Sequence, residues 1–506
     1  MSDTATLAAV IIRIAGAAMN EQAASTLEEV RVQQRLSQPS LCELKFVQVR
    51  ERLLEVENIK IGTSIKLSLP EDGSALFTGE VTAIEHEYTP QRTHIIRLRA
   101  YDKLHRLRKR QPVKAHVQVT PCELARALTA DLGITVEALR DGPLSQQIIQ
   151  YRQSDLDLLI SVCRRSGLYP FLHDDVLRLL TLEGEGEAAP LQLGKNLFEA
   201  RLSLNADPAC RTVITRGWNA SRVEAHEGRA DSPLLGREVS NESSPELFAS
   251  NGESTLADQV LVDDLHANAI AQAELDSKVA REAALWGIAE GDPALTPGAR
   301  VEIIGGASGF SGVYVLTSVT HSINRRTGFI SELSSTPPTL PAPQLGADVV
   351  WGRVTSVEDP EQMGRVRAAL PTLGNVETGW VGVMAAGAGG GKGFAVLPDV
   401  GDQVLVLFLG GDPAQAVVLG GLYGEHGPGD YGVDGASVRR YTIGTAGGQK
   451  FTLDDVGQSV RIENKGGSYI DLSPEKVLLY SIANFEIQAP GNQIVISAKS
   501  IDFRQA

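Results

Sequence analysis

The sequence has 506 residues, of which 42% are hydrophobic and 22% charged, a composition that fits a globular protein of several domains and excludes a wholly disordered chain. Its formal net charge of −15 argues against a dedicated nucleic-acid-binding protein, because phosphate contacts need a basic surface. The cysteines, Cys42, Cys122, Cys163 and Cys210, include no closely spaced pair, so we expect buried or semi-buried thiols and neither a disulfide framework nor a zinc site.

The N-terminal residues resemble a signal peptide only superficially. Asp3 stands where a basic segment belongs, and Arg13 interrupts the apolar run. No stretch reaches the roughly 18 uninterrupted apolar residues that a membrane span needs. We therefore expect a protein made in the cytoplasm without a signal peptide and without stable membrane insertion.

The fold class predicted from the pattern is mainly β with some helices (α+β). In residues 1–110, alternating apolar residues predict strands, for example at 44–49 and 65–69, and a hairpin turn at 70–73. This part is predicted to be the first portion of a barrel-like domain. Residues 111–340 are predicted to add helices and a second β-barrel region.

Helices are predicted where capping residues precede apolar periodicity. Thr120 precedes Pro121, and Ser154 precedes apolar residues that recur on one helical face. A third helix, rich in Ala and Glu, is predicted at 267–286. Residues 225–265 show little pattern and are interpreted as a long loop.

Composition changes divide the C-terminal third. We predict a Pro-rich extended linker at 341–348 and a small closed barrel of short strands at 349–424. A connector is predicted at 425–449. Residues 450–506 are a quasi-repeat in which apolar residues occur in pairs two positions apart, separated by polar and turn residues.

The apolar pairs of this repeat predict self-association. Alternation places both members of a pair on one side of a strand, and a single ribbon cannot bury that side alone. Three chains around one axis are the simplest closed solution, whereas packing against the barrel of the same chain is the alternative. The predicted trimer core consists of Val460, Ile462, Ile470, Leu472, Phe485, Ile487, Ile494, Ile496, Ile501 and Phe503.

No catalytic constellation is recognisable. The glycine-rich segment 387–393 fails as a phosphate loop because Ala386 and Gly393 occupy positions that need Gly and Ser or Thr. The histidines are scattered, with no pair four residues apart, and the carboxylates are too numerous to single out a hydrolytic pair. We predict no enzyme, no cofactor and no metal. A basic run from Lys103 to Arg110 is either a solvated face or a contact for an acidic partner.

Several segments together resemble one family, the VgrG and phage tail hub-spike proteins. The hub-like segments are Tyr101-Asp102-Lys103-Leu104, residues 149–156 and Gly167-Leu168-Tyr169. The barrel-like segments are Gly352-Arg353-Val354, Asp359-Pro360, Gly364-Arg365-Val366-Arg367, Pro371, Trp380, Leu397-Pro398, residues 401–406, Phe408, Gly411-Asp412-Pro413 and residues 420–423. Residues 366–371 stand where type VI secretion proteins usually carry His-Trp-Asp-Arg, so the pattern is most similar to the spike of extracellular contractile injection systems.

The resemblance implies barrel-like hub domains, an OB-fold barrel and an intertwined trimeric β-helix or β-prism needle. It implies a structural spike and hub that adapts a hexameric inner tube to a threefold needle and punctures a target envelope. The implied partners are two further copies of the chain, inner tube and baseplate proteins and a PAAR-type tip protein, with cargo effectors left open. The implied location is a contractile particle, extracellular or delivered into the target envelope.

Two other functions remain open: a particle-borne cell-wall hydrolase and a trimeric tail adhesin. Residues 425–448 are too few for an inserted hydrolase domain, and the sequence ends at Ala506 within the repeat, so we expect neither an effector extension nor a binding head. Because the repeat shows no closing domain, we expect Arg504, Gln505 and Ala506 to contact the tip protein.

Overall fold

The computed structural model describes residues 10–48, 56, 58–70, 73–90, 93–219, 222, 224–240, 252–339, 346–424 and 427–504. The chain divides into two compact units, Met1–Gly421 and Leu422–Ala506. The first unit contains the N-terminal region (residues 10–339) and the small β-domain (residues 346–421). The second unit is called the ribbon (residues 422–504). Most of the predicted linker at 341–348 lies outside the described residues.

Strands dominate the N-terminal region. The first group is β1 (Ile11–Ile14), β2 (Ala17–Ala18), β3 (Leu27–Arg35), β4 (Leu41–Gln48), β5 (Ser64–Ser68), β6 (Ala75–Tyr88), β7 (His94–Tyr101), β8 (Lys114–Val119), β9 (Thr135–Ala138), β10 (Ser145–Gln150), β11 (Tyr169–His173) and β12 (Val176–Leu180). The second group is β13 (Glu185–Gln192), β14 (Leu197–Leu204), β15 (Thr212–Asn219), β16 (Glu224–Ala230), β17 (Glu238–Val239), β18 (Glu253–Val260), β19 (Ala283–Glu290), β20 (Ala299–Ile304), β21 (Gly312–Val315), β22 (Ser318–Asn324) and β23 (Gly328–Ser334).

One eleven-stranded sheet joins the two halves of this region, in the order β14-β19-β23-β22-β3-β4-β7-β6-β5-β1-β2. The halves meet where β22 pairs with β3, with His321 opposite Val32. One apolar core, which includes Phe46, packs on the first half, and a second, which includes Tyr314, packs on the other half. This arrangement confirms the prediction of a mainly β fold with two barrel-like parts.

The α-helices that the structure describes in full are α1 (Glu21–Thr26), α2 (Pro121–Thr129), α3 (Asp155–Arg165) and α4 (Asp264–Ala280), and Lys103–Lys109 form a 3-10 helix. Both predicted N-caps are confirmed. The amide of Glu123 donates to Thr120 Oγ1 at 3.2 Å, and the amide of Asp157 donates to Ser154 Oγ at 3.2 Å. Such caps satisfy amides that have no partner within the helix.

Two predictions in this region are wrong. The predicted helix at 267–286 extends too far, because α4 ends at Ala280 and residues 283–290 form β19, which pairs with β14 and β23. The predicted loop at 225–265 contains β16 and β18, which flank β15. In both places pairing with strands distant in the sequence decides the conformation, and local propensity does not reveal it.

The small β-domain contains β24 (Asp348–Ser356), β25 (Arg367–Leu370), β26 (Val376–Glu377), β27 (Gly382–Val383), β28 (Gln403–Phe408) and β29 (Ala416–Leu422). They form one sheet in the order β26-β25-β24-β28-β29-β27 around a core that includes Val354, Val406 and Phe408. A buried ion pair supports the β24–β25 connection, with Arg365 Nη2 at 2.7 Å from Asp359 Oδ1.

The ribbon contains β30 (Val433–Asp434), β31 (Ser437–Val438), β32 (Arg440–Gly444), β33 (Lys450–Asp454), β34 (Ser459–Glu463), β35 (Tyr469–Leu472) and β36 (Val477–Tyr480). The last five form an antiparallel meander in chain order. Residues 481–504 form no strand, although the sequence predicts short strands at 485–487, 494–496 and 501–503. A strand needs a neighbour for its backbone hydrogen bonds, and the apolar pattern alone does not supply one.

Candidate functional site

Two rows of apolar side chains cross the whole sheet of the ribbon. Cross-strand register aligns Ile443, Phe451, Ile462, Ile470 and Leu479 in one row and Tyr441, Leu453, Val460, Leu472 and Val477 in the other. Residues directly opposite one another share a face, and so do residues two apart on one strand. All ten side chains therefore lie on one side of the sheet, which we call the apolar face.

The apolar face is uncovered within the described chain. Ile462 is 51% exposed, Ile470 40% and Leu479 58%. An open groove of about 570 Å³ runs along the face, and residues from all five strands line it together with Phe485. A contiguous exposed apolar surface of this kind marks an interaction site, because isolated proteins rarely leave one in water.

The opposite face of the same sheet is polar. The Arg461 guanidinium lies 3.9 Å from the centre of the Tyr469 ring, and its Nε is 2.8 Å from Glu463 Oε2. Lys450 Nζ approaches Glu463 Oε1 at 3.8 Å, and Tyr480 stacks on Tyr469. The two faces of the sheet therefore differ sharply in polarity.

The structure brings four of the predicted core residues together on the apolar face: Val460, Ile462, Ile470 and Leu472. The predicted core leaves out the other six residues of this face: Tyr441, Ile443, Phe451, Leu453, Val477 and Leu479. The alternation of Arg440 to Gly444 is the signal for the first two, but that segment belongs to the predicted connector. In β36 the pair on the apolar face is Val477 and Leu479, whereas Leu478 and Tyr480, which have the same spacing, lie on the other side. A shift of one residue reverses the face.

The remaining predicted core residues lie outside the sheet. Phe485, Ile487, Ile494, Ile496, Ile501 and Phe503 are all more than half exposed, and Phe485 lines the groove. Their membership of a trimer core stays a prediction. Of the predicted tip contacts, Arg504 pairs with Asp502 of the same chain at 2.7 Å, and Gln505 and Ala506 lie outside the described residues.

Three of the five basic side chains between Lys103 and Arg110 form ion pairs within the chain. Arg106 binds Glu80 through Nη2 at 2.6 Å, Arg110 binds Asp131 at 2.8 Å and Lys103 binds Asp175 at 2.9 Å. All three contacts lie within the N-terminal region. Arg108, which lies over the Tyr101 ring at 5.4 Å, and Lys109 complete the run.

Among the described residues, no group of three or more His, Cys, Asp or Glu side chains is arranged to hold a metal ion. All cysteines are free and buried, as predicted, and burial raises the pKa of Cys42 and Cys163 far above the ordinary value. Among the described residues, no helix combines the length and the hydropathy that crossing a membrane requires.

Two family models match the chain. The Alg8 N-terminal domain matches residues 5–325. The type VI secretion system/phage-baseplate injector OB domain matches residues 350–423. This range covers the small β-domain from within β24 to the end of β29. The second match identifies the six-stranded sheet as an OB domain.

Similar proteins cover most of the chain. The actin cross-linking toxin VgrG1 of Vibrio cholerae is 24% identical over 361 residues, which is 63% of this chain and 32% of the relative. The chain thus spans about a third of that relative's length. A component of the Escherichia coli type VI secretion system, described as similar to the T4 bacteriophage tail proteins gp27 and gp5, superposes with a TM-score of 0.52 at 14% identity, over 78% of this chain and 96% of that one. The Francisella PdpA-VgrG complex gives a TM-score of 0.54 at 9% identity, over 93% and 79%.

Proposed function

This chain belongs to the VgrG and phage tail hub-spike family, with an Alg8 N-terminal domain over residues 5–325, and we propose that it is the structural hub and central spike of a contractile injection particle. The observation that carries the proposal is the uncovered apolar face of the ribbon, which follows the OB domain in the chain. A surface of this kind on a needle segment calls for identical copies beside it.

The proposed assembly is a homotrimer in which the apolar face points towards the threefold axis. Each Ile or Leu that becomes fully buried contributes about 1.5–3 kcal/mol, and the part still exposed in one chain is available to the trimer. Threefold symmetry repeats each contribution in every subunit. An intertwined needle shares its core among three chains. An axial load therefore cannot separate one chain without exposing the apolar side chains of the other two to water.

The N-terminal region is proposed to form a threefold ring. Its two halves, joined by the eleven-stranded sheet, give six similar lobes in three subunits. Such a ring would adapt a hexameric inner tube to a threefold needle. The proposed partners are therefore inner tube and baseplate proteins, and sheath contraction would drive the needle through a target envelope.

A small PAAR-type tip protein is proposed to cover the end of the needle. Phe503 is 89% exposed and Ile501 51% exposed, and exposed apolar ends favour aggregation unless another protein covers them. Mass spectrometry of purified particles tests this proposal. A particle without a small additional component, whose spike images as bare, would contradict it.

No bond-making chemistry is proposed for these residues. The Vibrio cholerae relative is named a toxin, but the chain matches only 32% of that protein. The proposed place of the chain is the particle itself, assembled in the producing cell and then released or delivered into the envelope of the target. Cargo effectors are compatible with this role.

Imaging of particles that co-purify with a tagged chain tests the proposed function. We expect a label on the chain to mark one end of a contractile tube, on the axis. A chain that purifies as a free trimer with no tube or sheath component, from cells that produce such particles, would refute the assignment.

A further inference from the structure

Tyr151 belongs to the N-terminal region by sequence but packs in the small β-domain. Its ring lies against the apolar core that contains Val404, Val406 and Phe408, and it meets the Phe408 ring edge-on, with the centroids 6.0 Å apart. Tyr151 directly follows β10 and precedes the cap of α3, so both of its neighbouring elements are anchored in the N-terminal region. The small β-domain therefore completes its core with a side chain from another domain.

The hydroxyl of Tyr151 adds a polar contact across the same boundary. It lies 2.6 Å from the carbonyl oxygen of Gly411 and 2.9 Å from Asp348 Oδ2, so its single proton is shared between two acceptors of the small β-domain. Burial, followed by the hydrogen bond to Asp348, raises the pKa of Tyr151 to about 12, so the hydroxyl keeps its proton at neutral pH. Gly411 has a φ of 73°, a left-handed conformation that glycine adopts readily. This conformation occurs at the residue whose carbonyl oxygen accepts the hydrogen bond from Tyr151.

Two neighbours hold Tyr151 in place. Arg152 has a φ of 54°, an uncommon conformation for a residue with a side chain. Its guanidinium lies 5.5 Å from the centre of the Tyr151 ring and reaches Asp348 at 3.1 Å. In β10, Gln147 Nε2 donates to the carbonyl oxygen of Glu377 at 3.0 Å. These contacts fix the segment 147–152 against the small β-domain from both sides of Tyr151.

We propose that Tyr151 is an interdomain latch. Its side chain completes the core of the small β-domain and couples this domain to the N-terminal region. The small β-domain therefore does not unfold locally without breaking its contacts with the N-terminal region. A force applied to the small β-domain would then pass to the N-terminal region through the side chain of Tyr151. The inference concerns contacts within one chain and does not depend on the proposed particle.

Hydrogen exchange of the full-length protein tests the latch. Tyr151→Ala removes both ring and hydroxyl, and we expect the amides of β28, in the core of the small β-domain, to exchange at least about tenfold faster. The amides of β3 and β4 should keep their rates. Tyr151→Phe keeps the ring and should accelerate exchange only at residues 409–412, by about two- to tenfold, the change expected for one lost hydrogen bond.

Tyr314→Phe is the matched control. The hydroxyl of Tyr314 also donates to a backbone carbonyl, that of Phe310 at 2.9 Å, but within the core of the N-terminal region. This control should leave exchange in the small β-domain unchanged. Unaltered exchange of β28 in Tyr151→Ala, or equal acceleration of β3 and β28, would overturn the latch. If the alanine variant does not fold, unaltered exchange at 409–412 in Tyr151→Phe overturns it instead.

Discussion

Ile462→Asp tests whether the apolar face of the ribbon holds the trimer. Ile462 lies in β34, the central strand of the five-stranded sheet, opposite Phe451 on one side and Ile470 on the other. The substitution places a carboxylate in the middle of the apolar face. In a trimer built around that face, three carboxylates would meet near one axis with little water to screen them.

The magnitude follows from the exposure of Ile462. The side chain is 51% exposed in the single chain, so about half of its surface remains to be buried on association. Half of the value for full burial is about 1 kcal/mol per chain, or about 3 kcal/mol per trimer. Since 1.4 kcal/mol is a factor of ten, the trimer's dissociation constant, which has units of concentration squared, should rise about 100-fold. The midpoint concentration scales with its square root, so we expect it to shift by at least about tenfold, before any charge repulsion is added.

Sedimentation velocity of the full-length chain over a dilution series measures this shift, and circular dichroism verifies that the N-terminal region remains folded. Thr452→Asp is the matched control, because Thr452 lies on the opposite face of the same sheet and faces Arg461. It should dissociate like the unmodified chain. An Ile462→Asp variant that stays trimeric over the same dilution range, or a control that dissociates equally, would show that the apolar face does not hold the assembly.

Further measurements examine other parts of the molecule. Deleting residues 440–506 should weaken association, and a truncated chain that is still a monodisperse trimer at nanomolar concentration would assign the assembly to the N-terminal region. Asp359→Asn should lower the free energy of unfolding of the small β-domain by about 1–3 kcal/mol, because Arg365 loses its ionised partner. The hydrogen bond to Arg365 holds the pKa of Asp359 well below its usual range, so this contribution is present above pH ~4 and is lost as the pH falls further; an acid titration of unfolding in both proteins would show whether the difference disappears. Purified protein should not clear peptidoglycan, and clearing abolished by one carboxylate substitution would support the hydrolase alternative.

Capping and alternation determined much of the local structure from the sequence. Thr120 and Ser154 were identified as N-caps because the residues that satisfy helix amides are close in the sequence. The apolar pairs at 460/462 and 470/472 were identified as one face for the same reason, since side-chain alternation along a strand is local. The mainly β class also followed from patterns of this range.

Only the tertiary structure decided features that depend on pairing between distant segments. Residues 283–290 have a composition typical of a helix but form β19 because partners lie on both sides of it. In β36 the register with β35 selects Val477 and Leu479 for the apolar face, although the pattern Val-Leu-Leu-Tyr permits either choice. In the sequence, Tyr151 is part of a hub-like segment. Its place in the core of the small β-domain depends on contacts with Asp348 and Gly411, which lie 197 and 260 positions away. Local pattern specifies which side chains share a face, whereas distant pairing specifies what that face meets.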